Sequence, residues 1–414
     1  MRVPGNEVLE SIYGEAEESR ARYESLAAHY EELFGGDRVE FFSAPGRTEI
    51  VGNHTDHNGG KILAASISLD TIGAAAPNGT DRIEIVSEGY AKRVIVDISA
   101  LQNAPKNFGT VSLVAGMVEA ARLMGYRVSG FNAYVSTKVI SAAGVSSSAS
   151  FEMLVCSIMN YFFNDGKMSC ADYAKIGQYA ENHYWDKASG LMDQMACAVG
   201  GPIQLDFSDD VKYEKVNFDF ERFGYDLVIV NTGKGHADLS REYSEIPEEM
   251  KAVAKCLGGK WLAECSLAQL LSQYEEVAQA VGNDRAILRA IHFFEENRRV
   301  EEAVAAVEKK DGAKLLALLD ESGRSSWELL QNCYAIADFK EQKVALALAM
   351  TSHFLKVIGD GCCRIHGGGF AGVIMSIVPQ AKTAEYCEYI ARFVGTSNVY
   401  PMKIRAAGAI HVEC

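Results

Sequence analysis

Residues 44–60 carry the sequence feature that most restricts what this chain can form. A Pro-Gly pair leads into a strand-like stretch (48–51), and hydrogen-bonding side chains follow with almost nothing apolar among them. Because unpaired polar groups are costly to bury, this run either lies idle on the surface or lines a pocket for a ligand covered in hydroxyl groups. A sugar is the obvious candidate. The run 54–57, with two histidines, also suits a metal ion, but no other clustered ligands accompany it, so hydrogen bonding to hydroxyls is the better interpretation.

The composition is that of an ordinary globular protein. The chain has 414 residues, 48% of them hydrophobic and 23% charged, which is enough for two domains with substantial cores. A net charge of −15 without a basic stripe argues against nucleic acid as a partner. Ten cysteines without a CxxC pair suit a reducing cytoplasm.

The chain has no recognisable targeting or membrane segment. Residues 1–26 are acidic and helical, unlike a signal peptide, and the longest apolar runs are too short to cross a bilayer. We therefore expect a cytoplasmic protein with no membrane partner. Nothing in the sequence compels an assembly larger than a monomer.

Strand-like and helix-like segments are mixed in both halves without strict alternation, which predicts an α+β protein of two domains divided near residues 210–225. The expected helices span 7–34, 111–124, 147–163, 170–183, 344–357 and 381–393, with further helices from about 240 onward. The expected strands span 39–43, 48–51, 62–72, 83–86, 91–98, 130–139, 202–207, 225–231, 372–377 and 399–406.

Three glycine-rich stretches differ in what they predict. Residues 143–150 lie between a strand and a helix, where small residues let backbone N–H groups approach an anion and serine hydroxyls can hold Mg²⁺. A serine-capped helix after a turn explains this stretch about as well. Residues 367–372 contain GxGxxG, but they precede a strand, so a dinucleotide-binding fold is not indicated. Residues 199–202 indicate a plain turn.

Two acidic residues are candidates for a chemical role. Glu181 lies near the end of a helix, where a solvated surface charge is the ordinary interpretation. Asp193 is followed by a small, apolar stretch (195–199) that is typical of a buried segment, so its carboxylate needs a partner or a function. A structural ion pair or helix cap is the simpler explanation, and Arg47 is a candidate partner.

Several segments together match the motifs of one family. Residues 46–60 correspond to the sugar signature GRVNLIGEHTDYNGG, and residues 144–150 to the phosphate loop GLSSSAS with Val145 in place of leucine. The motif AEN…GIMDQ corresponds to 180–182 and 190–194 at the same spacing. The chain resembles the galactokinase family of the GHMP small-molecule kinases.

Further motifs follow in the family's order. NT…SEY, ESHRSL and RMTGGGFGG are matched, the first only loosely, by residues 231–232 with 242–243, 321–326 and 364–372. The agreement runs collinearly from about residue 40 to 375, which is far more specific than a match to any one loop.

The resemblance implies a two-domain GHMP-kinase fold, with domains 1–215 and 216–414 and the active site in the cleft between them. It implies phosphoryl transfer from MgATP to the anomeric hydroxyl of a hexose. Asp193 would face that hydroxyl as a base or an electrostatic guide, and Arg47 would stabilise the charge on Asp193 and on the transferring group.

The resemblance also assigns binding roles. The residues implied to bind sugar are Asn53, His54, Asp56, Gly190 and Tyr243. Those implied to cradle the phosphates of ATP are Gly144, Ser146, Ser147, Ser148 and Ala149. The residues implied to hold Mg²⁺ are Ser148 and Glu181.

The sugar signature departs from the family's pattern at three positions. The family's asparagine is Glu49, its glutamate is Asn53 and its tyrosine is His57. By the family's pattern, that glutamate accepts a hydrogen bond from the C6 hydroxyl of the sugar. Asn53 does not repel an anion, which makes a uronic acid such as galacturonate conceivable, although Glu49 keeps a carboxylate four residues away.

Other departures lie near the loops. The proline before the phosphate loop is Ile140, a glycine is Ala142, and the threonine before the triple glycine is His366. Phe108 is a candidate for the tryptophan expected near the adenine pocket.

These observations favour a sugar-1-kinase with D-galactose as the best single substrate. The alternatives are a kinase for another hexose or uronic acid, and a catalytically silent sensor that binds galactose and ATP. The motif residues Ser148, Glu181, Asp193 and Arg47 argue against a silent protein, because a sensor is free to lose them.

Overall fold

The computed structural model describes residues 2–36, 38–140, 144–185, 189–233, 239–370 and 372–414. The strands in these ranges are β1 (Glu40–Val51), β2 (Lys61–Pro77), β3 (Arg82–Ser87), β4 (Val94–Asp97), β5 (Phe131–Thr137), β6 (Pro202–Asp206), β7 (Lys212–Lys215), β8 (Tyr225–Asn231), β9 (Cys362–Ile365), β10 (Val373–Pro379), β11 (Val399–Met402) and β12 (Ile410–Val412). The α-helices are α1 (Asn6–Tyr13), α2 (Glu17–Phe34), α3 (Gly109–Leu123), α4 (Ser147–Phe163), α5 (Cys170–Tyr184), α6 (Met192–Val199), α7 (Ser240–Cys256), α8 (Leu267–Ser272), α9 (Tyr274–Val281), α10 (Asp284–Glu308), α11 (Gly312–Ser325), α12 (Lys343–Ile358) and α13 (Thr383–Val394).

The strands form two sheets, and the expected α+β class is confirmed. The larger sheet runs β12-β1-β2-β5-β3-β4, and β6 pairs with both β2 and β7. The smaller sheet runs β11-β8-β10-β9. Pairs in both sheets are antiparallel except β3 with β5, which are parallel. Among the helices in the described ranges, none is long and apolar enough to cross a bilayer.

Helices cover both faces of the larger sheet. Phe41 on β1 packs with residues of α1 and α2, whereas its neighbour Phe42 packs with residues of α3, α4 and α5. This division follows from the alternation of side chains along a strand, which sends consecutive residues to opposite faces. Both phenylalanines are fully buried.

The two halves of the chain share a hydrophobic core. Ile50 and Leu63 of the larger sheet cluster with Leu227 of the smaller sheet and with Val300 and Leu318 of α10 and α11. The chain also returns to its first sheet at the end, because β12 pairs with β1. Contact between the halves is therefore extensive on the face that carries β1.

The structure corrects two expectations about the first 51 residues. The expected helix 7–34 is two helices, because Gly14 adopts the left-handed conformation (φ 75°) and ends α1. The expected strands 39–43 and 48–51 are one strand, β1, which passes through the Pro-Gly pair with an irregular register between Pro45 and Arg47.

A buried carboxylate joins the ends of the chain to the larger sheet. Asp70 on β2 accepts hydrogen bonds from Ser43 (2.6 Å), Tyr13 (2.7 Å), Arg22 (2.9 Å) and Arg405 (2.9 Å). Burial alone would raise the pKa of Asp70, but the two guanidinium groups and the two hydroxyls outweigh it and hold the pKa below its ordinary value.

We predict that Asp70→Asn lowers the free energy of unfolding by about 3–5 kcal/mol at pH 7, because two buried guanidinium groups lose their counter-charge. Urea denaturation measures this loss. The pKa of Asp70 is lower in the folded state, so its stabilisation is present above the unfolded value of about 3.9 and is lost as the pH falls through the folded value. The difference in free energy of unfolding between the wild type and Asp70→Asn should therefore shrink below about pH 4. The control is Asp165→Asn at an exposed ion pair, where a change of about 1 kcal/mol or less is expected.

Candidate active site

A small polar cavity lies where β1, the start of α6 and the late glycine loop (residues 367–370) meet. Its volume is about 200 Å³, and the residues that line it are Arg47, Glu49, His54, Asp56, His57, Ser189, Gly190, Met192, Asp193, Gln194, Tyr243, Gly367 and Gly368. The structure thus brings six of the seven residues predicted for catalysis or sugar binding to one cavity. The seventh, Asn53, is not among the lining residues. Most of the wall can donate or accept hydrogen bonds, as a hydroxyl-rich ligand requires.

Asp193 is held from two sides at this cavity. It lies in the first turn of α6, and its Oδ1 accepts from Nε and Nη2 of Arg47, both at 2.8 Å. Its Oδ2 accepts from the hydroxyl of Ser146 at 2.5 Å. The side chain of Asp193 keeps 29% exposure, so the carboxylate remains open to a ligand. The ion pair proposed from the sequence is present, and it lies at the cavity.

The glycine–serine loop (residues 144–148) lies against β1 because Gly46 on that strand leaves room for it. A methyl group on Gly46 would lie 2.7 Å from the carbonyl oxygen of Val145, so a larger residue there would push the loop away. Arg47 donates its backbone N–H to that same carbonyl (3.2 Å) and its Nη1 to the carbonyl of Gly144. The strand and the loop are thereby fastened together beside Asp193.

The serines of the loop do not cap α4 as the simpler interpretation predicts. Ser146 precedes the helix in the left-handed conformation (φ 59°) and makes no side-chain cap hydrogen bond. Its hydroxyl goes to Asp193 instead. Ala149 is buried in the first turn of α4, behind Ser147 and Ser148. Ala142 and Ala143, part of the sequence-based argument, lie outside the described residues, as does Ala371.

A hydroxyl and a carboxylate meet beside this helix. Ser148 Oγ donates to Oε1 of Glu181 at 2.9 Å. Glu181 is 1% exposed, so its ordinary interpretation as a solvated surface charge is wrong; α4 and α6 cover it. Gln194 Nε2 lies 3.3 Å from Oε2 of Glu181 and 3.1 Å from Oε2 of the buried Glu152. Two hard oxygen donors in this position fit Mg²⁺, which takes few protein ligands and fills its remaining positions with phosphate and water.

Histidines near the sugar segment do not form a metal site. No group of three or more His, Cys, Asp or Glu side chains that could hold a metal ion occurs in the described parts of the chain. His54 instead donates Nε2–H to the carbonyl of Gly368 at 2.8 Å. Burial lowers the pKa of His54 to about 3, so its ring is neutral at pH 7.

A second, larger cavity opens beside the start of α4. Its volume is about 690 Å³, and Ser147 and Ser148 line one side of it. Three aromatic side chains from separate loops, Tyr90, Phe108 and Trp185, are also among its lining residues, together with Lys92 and Arg93. Phe108 was anticipated from the sequence. The other four were not, because they come from loops that show no pattern of their own.

Asn53 lies behind the cavity wall. Its side-chain nitrogen donates to Gly367 O (2.7 Å) and to Oε1 of Glu49 (3.0 Å), and its oxygen accepts from Asn332 (2.8 Å). The residue is fully buried. Glu49, the carboxylate that the swapped signature keeps four residues away, lines the cavity in its place.

His366 connects the late glycine loop to β1. Its Nε2 accepts from the backbone N–H of Glu49 at 3.2 Å and lies 3.0 Å from the hydroxyl of Thr48. Burial, followed by the charges of Arg47 and Arg364, holds the pKa of His366 well below its ordinary value. A neutral ring that accepts at Nε2 therefore carries its proton on Nδ1.

Two family profiles match the chain. The galactokinase galactose-binding signature covers residues 28–77, and the N-terminal domain of the GHMP kinases covers residues 112–201. The galactokinase of Limosilactobacillus reuteri (strain DSM 20016) is 30% identical over 380 residues, which are 89% of this chain and 93% of that protein. This chain belongs to the galactokinase family. The galactokinase of Lactococcus lactis subsp. cremoris (strain MG1363) is also 30% identical, over 92% of this chain and 94% of its own.

Solved structures support the same assignment. The crystal structure of Lactococcus lactis galactokinase complexed with galactose matches with a TM-score of 0.79 at 25% identity, covering 93% of this chain and 98% of that one. A crystal structure of mevalonate kinase matches with a TM-score of 0.61 at 17% identity, over 89% and 99% of the two chains, and shows the shared fold only. The GHMP-kinase fold expected for this galactokinase-family chain is confirmed.

We predict that His54→Gln weakens the pH dependence of stability between pH 6.5 and pH 4. The unfolded histidine takes up a proton below about 6.5, whereas the folded one stays neutral to about 3, so folding loses free energy as the pH falls through this window. Glutamine keeps an N–H donor for Gly368, but it does not titrate. The free energy of unfolding should fall less in the variant, by about 3 kcal/mol over this range. Equal slopes for the two proteins would show that His54 is protonated in the folded state.

Proposed function

We propose that this chain transfers the γ-phosphoryl group of ATP to the anomeric hydroxyl of D-galactose. The observation that carries the proposal is the position of Asp193. Its carboxylate lines the small polar cavity and accepts from Ser146, whose neighbours Ser147 and Ser148 line the larger cavity. A sugar in the first cavity and a nucleotide in the second would therefore meet at Asp193.

The roles of the two catalytic residues follow from this arrangement. Asp193 faces the acceptor hydroxyl and orients it or takes its proton. Arg47 holds Asp193 through two N–H donors and remains beside the transferring group, where its positive charge offsets the charge that develops on the phosphoryl oxygens. Phosphoryl transfer depends mainly on positioning and charge stabilisation, which these residues supply.

The loop and the larger cavity suit a nucleotide. Gly144, at a φ of 62°, and the start of α4 present backbone N–H groups to phosphates. Tyr90, Phe108 and Trp185 offer aromatic faces for the base. Ser148 and Glu181 would hold Mg²⁺, which would supply positive charge to offset the charge of the phosphates.

The charges of the small cavity favour a neutral sugar over a uronic acid. Among the described residues that line it, Glu49, Asp56 and Asp193 supply three carboxyl groups, whereas the one arginine, Arg47, is paired with Asp193. A uronate would bring another negative charge to this site at a cost. Galactose is therefore preferred to galacturonate.

We also propose that the enzyme works as a cytoplasmic monomer. The ten cysteines are free, as expected for a reducing compartment. Residues 1–215 would supply the sugar signature and the phosphate loop, and residues 216–414 the opposite wall. The strand β12 is an exception to this division, since it completes the first sheet.

We predict that Asp193→Asn lowers kcat by at least about 10²–10³, because a group that acts on the transition state is lost. Asparagine has nearly the same volume, so galactose binding measured by calorimetry should change little. Asp209→Asn, at a side chain that is 82% exposed, is the control and should leave kcat unchanged. Full turnover by the Asp193 variant would reject the role given to this residue.

A panel of sugars tests the activity itself. With MgATP, we expect ADP release with D-galactose and much less with galacturonate, N-acetylgalactosamine or glucose, measured by a coupled assay. A preference for galacturonate would overturn the charge argument. Binding of galactose and ATP without ADP release for any sugar would identify a silent sensor instead of a kinase.

A further inference from the structure

We propose that Glu49 is a specificity-determining residue that accepts a hydrogen bond from a sugar hydroxyl on the ring edge opposite the anomeric carbon, and that Asn53 positions it. The inference rests on the proposed galactokinase activity and adds a residue to its sugar site. It assigns to Glu49 the contact that the sequence analysis had placed on Asn53.

Asn53 has no capacity left for a ligand. Both of its side-chain N–H groups are used, by Gly367 O and by Glu49, and its oxygen accepts from Asn332 at 2.8 Å and from Ser326 at 3.4 Å. It is fully buried and does not line the cavity. Its amide is therefore a support for the carboxylate in front of it.

Asn53 and Arg364 together fix the Glu49 side chain in one orientation. Arg364 Nη2 donates to Oε1 of Glu49 at 2.9 Å, and its Nη1 donates to the carbonyl of Ile50 at 2.5 Å. The Arg364 side chain is fully buried, so it holds the carboxylate from behind without reaching the ligand. Oε1 accepts both shorter bonds, whereas Oε2 makes, within the described part of the chain, a longer contact of 3.3 Å with Asn53. Oε2 is the atom with lone pairs to spare.

The position of Glu49 on β1 indicates which part of the sugar it meets. Arg47 and Glu49 are alternate residues of a regularly paired stretch of the strand, so they share one face, about 7 Å apart along it. Arg47 binds Asp193, where the anomeric hydroxyl reacts. The separation is comparable with the width of a pyranose ring, which places a hydroxyl of the far edge at Glu49.

A hydrogen-bond acceptor at this point of the cavity selects for a sugar group that can donate a hydrogen bond. Burial raises the pKa of the Glu49 carboxyl, and the ion pair with Arg364 at 2.9 Å opposes this and holds the ionised form. An ionised carboxylate accepts hydrogen bonds and donates none, so it favours a hydroxyl and opposes a second carboxylate. An amide at the same place would tolerate either a hydroxyl or a carboxylate on the sugar. Glu49 thus strengthens the rejection of acidic sugars to which Asp56 and Asp193 also contribute, and it does so at the far edge of the ring.

The test is a cycle of enzyme variants and deoxy sugars. We expect Glu49→Gln to raise KM for D-galactose about 10- to 100-fold with kcat changed much less, as for the loss of a hydrogen bond to a charged group. With one of the 3-, 4- or 6-deoxygalactoses, wild type and variant should have the same KM within about 2-fold, because the partner hydroxyl is already missing. With 2-deoxygalactose the full difference should remain.

Three further proteins make the result decisive. Glu40→Gln, the same change on the same strand at a glutamate bound by His411, should leave every KM unchanged. Asn53→Ala should also raise KM for galactose. With the deoxy sugar for which Glu49→Gln and wild type have the same KM, Asn53→Ala should match wild type as well. If Glu49→Gln does not fold, Glu49→Asp keeps the charge beside Arg364 and is carried through the same cycle.

Two results would overturn the inference. One is an unchanged KM for galactose in the Glu49 variant, and the other is an equal loss with every deoxy sugar, which would mean that Glu49 meets no hydroxyl. Absence of galactose-dependent ADP release by the wild type would instead overturn the proposed activity. In that case calorimetry with galactose and the deoxy sugars, without ATP, still tests Glu49.

Discussion

The ion pair between Arg47 and Asp193 organises the centre of this molecule. It joins β1 to α6, and the same guanidinium reaches the carbonyl of Gly144, so that a strand, a helix and the glycine–serine loop meet at one side chain. The arrangement is possible because Gly46 leaves room for the loop against the strand. The two cavities take their places around this junction.

Much of the fold could be predicted from the sequence where the signal is local. Periodicity and turn residues located α4, α5, β8 and β10 within a few residues. The continuity of β1 through a Pro-Gly pair was missed, because those residues usually signal a turn and only pairing with β2 keeps the strand extended. The pairing of β12 with β1 leaves no trace in either segment, since it depends on the whole intervening chain.

The candidate site was predictable to a similar degree. Spacing and resemblance brought out Arg47, Asp193 and Ser146, and in the structure both Arg47 and Ser146 donate hydrogen bonds to Asp193. The sequence alone could not show which of the two side chains, Glu49 or Asn53, faces the cavity. That choice depends on Arg364 and on the carbonyl of Gly367, which lie more than 300 positions further along and hold the two side chains in their order.

The pairing of Phe41 with Val412 has a consequence for how the protein is made. The strand that bears Arg47 has one edge that stays unpaired during synthesis until nearly all of the described chain has left the ribosome. An open edge is a template for pairing with other chains, so the nascent first half is exposed to aggregation for that whole interval. A cell that makes this protein quickly would therefore depend on its chaperones to keep that edge covered.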